Sequence, residues 1–363
     1  MVQSLFQEPH HSAVRDDTRM STIVNNAKYA EWRDTHTFYN CKLNRKEYGH
    51  FIADYISGEH DGFVLNLDGS WGSGKTEFLK RLYIELLERN HPVVYIDAWE
   101  SDFSNNPLTV VSSELVRQLE RFNYNIGTDT DRLKRHLGKF LKGSAYGVSG
   151  YLSKQLLGDA SMGTEFTKAL LEDSNPKNYI TQLSHEYSEQ IEAIKKIRES
   201  IGHLAEVMQT NYQTKTPMVV LIDELDRCRP TYAIEMLEVV KHFFTTDNVV
   251  FIIATDTTQL KNSIKAVYGE QFESGKYLRR FFNRTASLPI PDIDKYVKLL
   301  EIQADGFDYV KVYPEIPGCN TNDYISATAK AYDLEIRDID QLTNKLLACL
   351  RSLETRGKNR NQV

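Results

Sequence analysis

The segment Gly69-Ser70-Trp71-Gly72-Ser73-Gly74-Lys75-Thr76 spaces its glycines, a lysine and a hydroxyl as G-x-x-x-x-G-K-[ST], with Glu77 next in the chain. Glycines let the backbone curl until successive N–H groups converge on phosphate oxygens, and a following helix adds the partial positive charge of its N-terminus. Lys75 then reaches the β- and γ-phosphates of a nucleoside triphosphate, and the Thr76 hydroxyl becomes a ligand for Mg²⁺. By chance, such a set of four fixed positions arises in about one chain of this length in a hundred. A second set of chemistry-bearing residues ends the apolar run Val219-Val220-Leu221-Ile222 with Asp223 and Glu224. Asp223 suits Mg²⁺, held through water, and Glu224 suits the orientation and deprotonation of a water that attacks the γ-phosphate. Acids after strands are also common as plain solvated ends, and the pairing with the glycine loop is what gives these two their meaning. A third run, Val249 to Ala254, ends on Thr255 and Asp256. Asp256 suits a group that senses the γ-phosphate or the attacking water; an ordinary strand-end turn reads the same way.

These residues need elements to hold them. Phe63 to Leu67 is strand-like, the glycine loop follows, and Glu77 to Leu87 places Phe78, Leu79, Leu82, Tyr83 and Leu86 on one helical face. Pro92 to Ile96 is the next strand, so the opening is a right-handed βαβ unit with parallel strands. Ligands bind at the carboxyl ends of such strands. Val219–Ile222 and Val249–Ile253 are two further buried strands, separated by an amphipathic helix over Tyr232–Phe244, and a helix over Arg45–Ile56 precedes the first strand. The interval between Lys75 and Asp223 exceeds what two βαβ units of roughly 30 residues need, so an insertion separates the halves of the site. Within it, 107–140 is helical, Gly138 to Gly163 is rich in Gly, Ser, Ala and Tyr, and Ile180 to Met208 carries a heptad-like apolar seam. That seam reads as core packing, with pairing to another chain as the minority alternative. After Pro289 and Pro291 the pattern turns helical over Asp294–Ala304 and Ile339–Leu350, with loop between.

The expected fold is α/β: a three-layer αβα arrangement around a parallel sheet, a large helical insertion at about 107–215, and a small C-terminal helical domain. The expected division is an N-terminal segment over 1–41, a nucleotide-binding domain over 42–290 and a helical lid over 291–363. Composition limits the partners. The 363 residues carry 44 basic and 50 acidic side chains, net charge −6, so no whole-protein field favours nucleic acid or anionic lipid. Cys41, Cys228, Cys319 and Cys349 form no C-x-x-C pair, which fits a reducing compartment, and Cys228 reads as buried packing. No apolar run approaches the ~20 residues that span a bilayer, and the N-terminus lacks the apolar core of a secretory signal, so a cytoplasmic location is expected.

At the glycine loop and the acidic strand the chain resembles the KAP family of P-loop NTPases, related to AAA+ and STAND enzymes. The family's G-x-W-G-x-G-K-[ST] loop has its likeness in Gly69 to Thr76, with Trp71 and Gly72 in place. Its D-[DE]-L-D-R-C strand end has its likeness in Asp223-Glu224-Leu225-Asp226-Arg227-Cys228. The N-A-W segment after the second strand corresponds to Asp97-Ala98-Trp99-Glu100, where Asp97 stands in place of Asn. The family's arginine-bearing stretch is similar to Tyr277-Leu278-Arg279-Arg280-Phe281 ahead of Leu288-Pro289, and the later helix of its lid to Glu335-Ile336-Arg337-Asp338-Ile339. The likeness covers roughly residues 42–350. Many members carry membrane helices in the insertion, and members are associated with membranes, signalling and phage exclusion. Here Lys139, Lys142 and Lys154 interrupt the corresponding Leu137–Leu157, which departs from that pattern.

The resemblance implies an ATP- and Mg²⁺-dependent hydrolase of the additional-strand P-loop class, a minimal member acting as a switch, with antiviral defence or signalling as its setting. Arg280, or a neighbour among Arg279 and Arg284, is the candidate finger that stabilises transition-state charge, in cis or across an interface. Arg337 is the candidate sensor on the lid, with an ordinary surface residue as its alternative. The arginines near 280, with Tyr277, Phe281 and Phe282, also fit a single-stranded nucleic-acid patch, although aromatics at helical spacing more often face a core. The basic amphipathic stretch from Arg132 to Lys142 reads as a solvated helix face or, less readily, as a peripheral membrane contact. Two other functions compete with hydrolysis: an ATP-bound scaffold that assembles with a protein partner or with itself, and a nucleic-acid-dependent ATPase.

Overall fold

The computed structural model describes residues 23–104, 106–122, 127–144, 176–243, 246–300, 317 and 319–360. Helix α1 (Lys46–Ser57) leads into β1 (Phe63–Asp68), the glycine loop and α2 (Lys75–Glu88), then β2 (Val93–Asp97). The insertion contributes α3 (Pro107–Phe122), α4 (Gly127–Ser144) and the 37-residue α5 (Pro176–Tyr212). Next come β3 (Met218–Asp223), α6 (Pro230–Phe243), β4 (Val249–Thr255), α7 (Thr257–Tyr268), the short α8 (Ser274–Leu278) and β5 (Arg284–Ser287). Helices α9 (Ile293–Leu299), α10 (Thr321–Ala331) and α11 (Ile336–Arg360) end the chain.

The five strands form one sheet in the order β2-β3-β4-β1-β5, parallel throughout. The residues of β1 to β4 are apolar almost without alternation because helices cover both faces, as parallel sheets require. Register fixes the site. Leu67 pairs with Ala254, Asp68 with Thr255 and Asp97 with Asp223, so every polar strand end gathers at one edge. One polar side chain lies inside β1: Asn66, whose Oδ1 accepts from the Thr255 hydroxyl at 2.8 Å while its Nδ2 donates to Thr257 Oγ1 at 2.9 Å. A buried amide is tolerated only when satisfied in this way, and these bonds tie β1 to the end of β4.

Among the described residues two apolar clusters form. The larger surrounds the sheet and includes Leu133 and Leu137 of α4 and Ile197, Ile201, Leu204 and Met208 of α5. The inner faces of the insertion therefore belong to the main core, which agrees with the packing expected of the α5 seam; Leu183, Tyr187 and Ile191 lie outside the residues whose side chains are described. The smaller cluster joins Tyr296, Val297, Ile325, Ala329, Ile336 and Ile339, with Leu43 packed against it. Part of Leu137–Leu157 also lies outside the described residues.

The structure adds elements that the sequence reading left as loop. Helix α10 occupies the stretch between the two expected C-terminal helices and begins with a capping box in which Asn320 and Asp323 satisfy each other's backbone N–H. Strand β5 is short and mostly exposed, so no apolar run announces it. Residues 23–40 pack into the main core through Ile23, Val24, Ala27 and Phe38, and Tyr29 stacks on Trp32 at 4.2 Å with both rings edge-on to Tyr83 and Tyr95.

Candidate functional site

The glycine loop begins where Gly69 N–H donates to the Thr255 carbonyl at 3.1 Å, anchoring it to the end of β4. Gly72 and Gly74 have φ of +89° and +85°, the left-handed region where a side chain is strained, and a Cβ on Gly69 would lie 2.7 Å from Ser73 Oγ. Gly74 caps α2, so the unpaired first-turn amides of that helix face the loop. Lys75 is buried and arches back: its Nζ donates to the carbonyls of Gly69 at 2.8 Å and Ser70 at 3.2 Å. Glu77 turns its carboxylate to His36 and Arg81, at 3.5 and 3.6 Å, so what it offers the loop is its backbone amide.

Sequence reasoning missed Arg45. It is 2% exposed, and its two terminal nitrogens donate to the carbonyls of Ser73 at 2.8 Å and Pro289 at 2.9 Å. One planar guanidinium thus clamps the loop to the chain leaving β5, a geometry that lysine cannot reproduce. Burial draws its pKa down. Arg45→Ala and Arg45→Lys are both expected to lower thermal stability, the former by about 3 kcal/mol because two charge-assisted bonds vanish, as a denaturant titration would read.

Asp223 is 1% exposed at the end of β3. Its carboxylate accepts from Tyr95 Oη at 2.8 Å and from the Glu224 N–H at 2.9 Å, with the Thr76 side chain beside it. Burial raises its pKa, and the hydrogen-bonding groups around it oppose the rise. The phenol of Tyr95 is pushed up by burial and by the same carboxylate. The next residue leaves the strand abruptly, with Glu224 at φ +58° before the 3₁₀ turn Leu225–Arg227. Its carboxylate meets Arg227 Nη1 at 2.6 Å. Burial raises the Glu224 pKa and Arg227 opposes the rise. The Arg227 guanidinium in turn lies 5.9 Å from the ring centre of Trp71, an exposed residue of the loop. Asp226 sits 3.9 Å from Lys75 Nζ, its side chain 3% exposed, and its Oδ1 has no hydrogen-bond partner. Cys228 is buried, which agrees with the packing role expected of it, and burial pushes its thiol up.

The remaining candidates divide. Arg337 stands beside the loop, since a Cβ on Gly72 would lie 3.4 Å from Arg337 Cβ, and its neighbour Glu335 accepts from the Ser70 hydroxyl at 2.6 Å. The C-terminal helices therefore touch the loop directly. Asp256 is the N-cap of α7, its Oδ1 accepting from Thr258 N–H at 3.0 Å and Gln259 N–H at 3.1 Å. Arg280 lines a cavity with Tyr268, Phe272 and Tyr277. Phe281 is fully buried, so the aromatics of this stretch face the core.

A triphosphate and Mg²⁺ fit these residues. The loop offers amides and an ammonium, Thr76 brings a hydroxyl beside the carboxylate of Asp223, and this all-oxygen pair is what Mg²⁺ accepts while keeping most of its water. The orphaned Asp226 Oδ1 adds an acceptor for a proton or a bound water at the same place.

A parallel sheet in which β4 separates the glycine-loop strand β1 from the acidic strand β3, with the loop running into α2, defines a P-loop NTPase of the additional-strand class. The KAP family P-loop domain matches residues 45–353, and the chain belongs to that family. The match begins at Arg45. No curated protein matches the sequence. Among solved structures, PCH-2 of C. elegans is 13% identical with a TM-score of 0.33, over 95% of this chain and 73% of that one. The Aeropyrum pernix ORC2 protein, in ADPNP and ADP complexes, is 14% identical with a TM-score of 0.36, over 82% and 68%. Likenesses at these scores carry no argument about this chain.

Proposed function

We propose that the chain binds ATP with Mg²⁺ and hydrolyses it, and that the cycle switches the helical lid, residues 291–363, against the nucleotide-binding domain, residues 42–290. The observation that carries this reading is the buried Asp223 carboxylate at the end of β3 beside the loop residue Thr76, with Glu224 next in the chain and Lys75 3.9 Å from Asp226. Loop amides and Lys75 hold the phosphates. Thr76 and Asp223 would hold Mg²⁺, which when bound neutralises charge on the phosphate oxygens. Glu224 accepts the proton of the attacking water, a step that general bases accelerate by about 10²- to 10⁴-fold. Arg337 and Glu335, seated on Gly72 and Ser70, carry the state of the loop to the lid. Arg280, or a neighbour among Arg279 and Arg284, is the proposed finger, in cis or from another copy of the chain. Phosphate release from ATP, compared with GTP and with and without Mg²⁺, tests the reading; failure of ATP to bind defeats it.

One observation favours a second reading, a nucleotide-held scaffold with little turnover: Glu224 is already engaged by Arg227 at 2.6 Å. Arg227→Ala frees the carboxylate and is expected to raise unstimulated phosphate release several-fold, about the effect of losing one charged hydrogen bond. Release absent from both wild type and Arg227→Ala, with ATP bound, supports the scaffold. Family membership makes phage exclusion or signalling in the cytoplasm the proposed setting, which plaque counts in cells with and without the protein would test. Among the described residues no helix is long and apolar enough to cross a membrane.

A further inference from the structure

The edge of the sheet opposite the phosphate loop holds a cavity of about 560 Å³ that the reaction does not use. It lies between the C-terminal ends of α1, α2 and α5 and the segments entering β2 and β3, roughly 20 Å from the loop by the length of a six-residue strand. Its volume is in the range of small-molecule sites, and its walls are set. Asn90 and Gln213, in the two segments that border it, have φ of 71° and 56° without being glycine. The segments are tied to each other by Lys215 N–H on the Asn90 carbonyl and Asn90 Nδ2 on the Gln213 carbonyl, both 2.8 Å. Each follows a helix end, and at Asn90 the left-handed residue closes the helix, its N–H on the Leu87 carbonyl and the His91 N–H on the Leu86 carbonyl, both 2.9 Å.

Donors dominate the lining. His91 is buried and fixed, its Nδ1 at 3.0 Å from the Pro217 carbonyl and its Nε2 at 3.0 Å from Ser57 Oγ. Burial lowers its pKa first, the Pro217 carbonyl opposes this, and the cations Lys215 and Arg89 lower it further. The acid in the lining, Asp54, is hydrogen-bonded to Arg89, whose Nε is held by Glu85 at 2.8 Å. Lys215 is exposed at the rim and has no ion-pair partner among the described residues. Thr214 is 4% exposed, and its Oγ1 has no hydrogen-bond partner, a buried hydroxyl that an incoming acceptor would satisfy.

We propose that this cavity binds a phosphate-bearing small molecule, whose phosphate oxygens meet Lys215 and the hydroxyls of Thr214 and Thr216. Lysine serves such groups as a point charge, and hydroxyls and amides complete the shell. The proposal stands independently of ATP hydrolysis.

The test is calorimetric titration of the full chain, saturated with ADP, with inorganic phosphate and with pyrophosphate, in wild type, Lys215→Glu and Thr214→Val. Lys215 is exposed, so its reversal leaves the fold intact, and a thermal melt of each variant checks this. The expected result is one saturable site, weakened about tenfold or more by Lys215→Glu and less by Thr214→Val, with ADP affinity unchanged. Vesicles of phosphatidylcholine with and without phosphatidic acid form a separate arm. Binding to those vesicles alone would assign the phosphate to a lipid headgroup and overturn the small-molecule site. Titrations without saturation, or saturation indifferent to both substitutions, overturn the site itself, and the latter returns the phosphate to the loop.

Discussion

Glu224→Gln is expected to slow phosphate release from ATP by about a hundredfold or more while leaving ATP affinity within about threefold of wild type. The amide keeps the size and one hydrogen-bond acceptor of the carboxylate but cannot take the water's proton. Asp223 cannot substitute, because it is 1% exposed and its two oxygens already accept from Tyr95 and the Glu224 N–H. Binding should survive because the groups proposed to hold phosphate, the loop amides and Lys75, are separate from Glu224. Single-turnover phosphate release, beside equilibrium binding of a fluorescent ATP analogue, reads the two quantities separately. Turnover that persists in Glu224→Gln and disappears in Asp226→Asn would move the base to Asp226, whose free Oδ1 stands near Lys75.

How legible each part was in the sequence follows from where its information lies. The glycine loop depends on backbone conformation and on side chains within eight positions, so Gly69 to Thr76 carry their own meaning. Strands β1 to β4 are buried on both faces and write themselves as apolar runs. β5 does not, because its place comes from pairing Leu65–Asp68 of β1 with Arg284–Ser287, a relation between backbones that exposed side chains do not record. Arg45 is hidden for a similar reason. Its partners are carbonyls of Ser73 and Pro289, distant in sequence and carrying no side-chain signature. Asp256 shows the reverse problem: an acid after a strand reads equally as chemistry or as a helix cap, and the geometry displays the cap. The contact of Glu335 and Arg337 with the loop was foreseeable only as a resemblance, since it depends on the angle at which the small C-terminal core sits.

Lys75→Ala is expected to do two things that separate the binding role of the residue from its structural one. First, ATP affinity should fall by about a hundredfold or more, since the ammonium that meets the β- and γ-phosphates is gone. Second, the unliganded protein should lose stability, because Lys75 is the cation beside Asp226, 3.9 Å away, and that carboxylate is 3% exposed with one oxygen unbonded. Removing one partner of a buried pair leaves an uncompensated charge, at a cost of roughly 3–5 kcal/mol. Asp226→Asn in the same chain removes that charge, so Lys75→Ala/Asp226→Asn should regain most of the lost stability in a urea titration while ATP binding stays lost. A double variant no more stable than Lys75→Ala would mean that the bonds from Nζ to the Gly69 and Ser70 carbonyls, rather than the ion pair, hold the loop together. A single variant that binds ATP normally would remove the lysine from the phosphate site altogether, and with it the chemistry assigned to the loop.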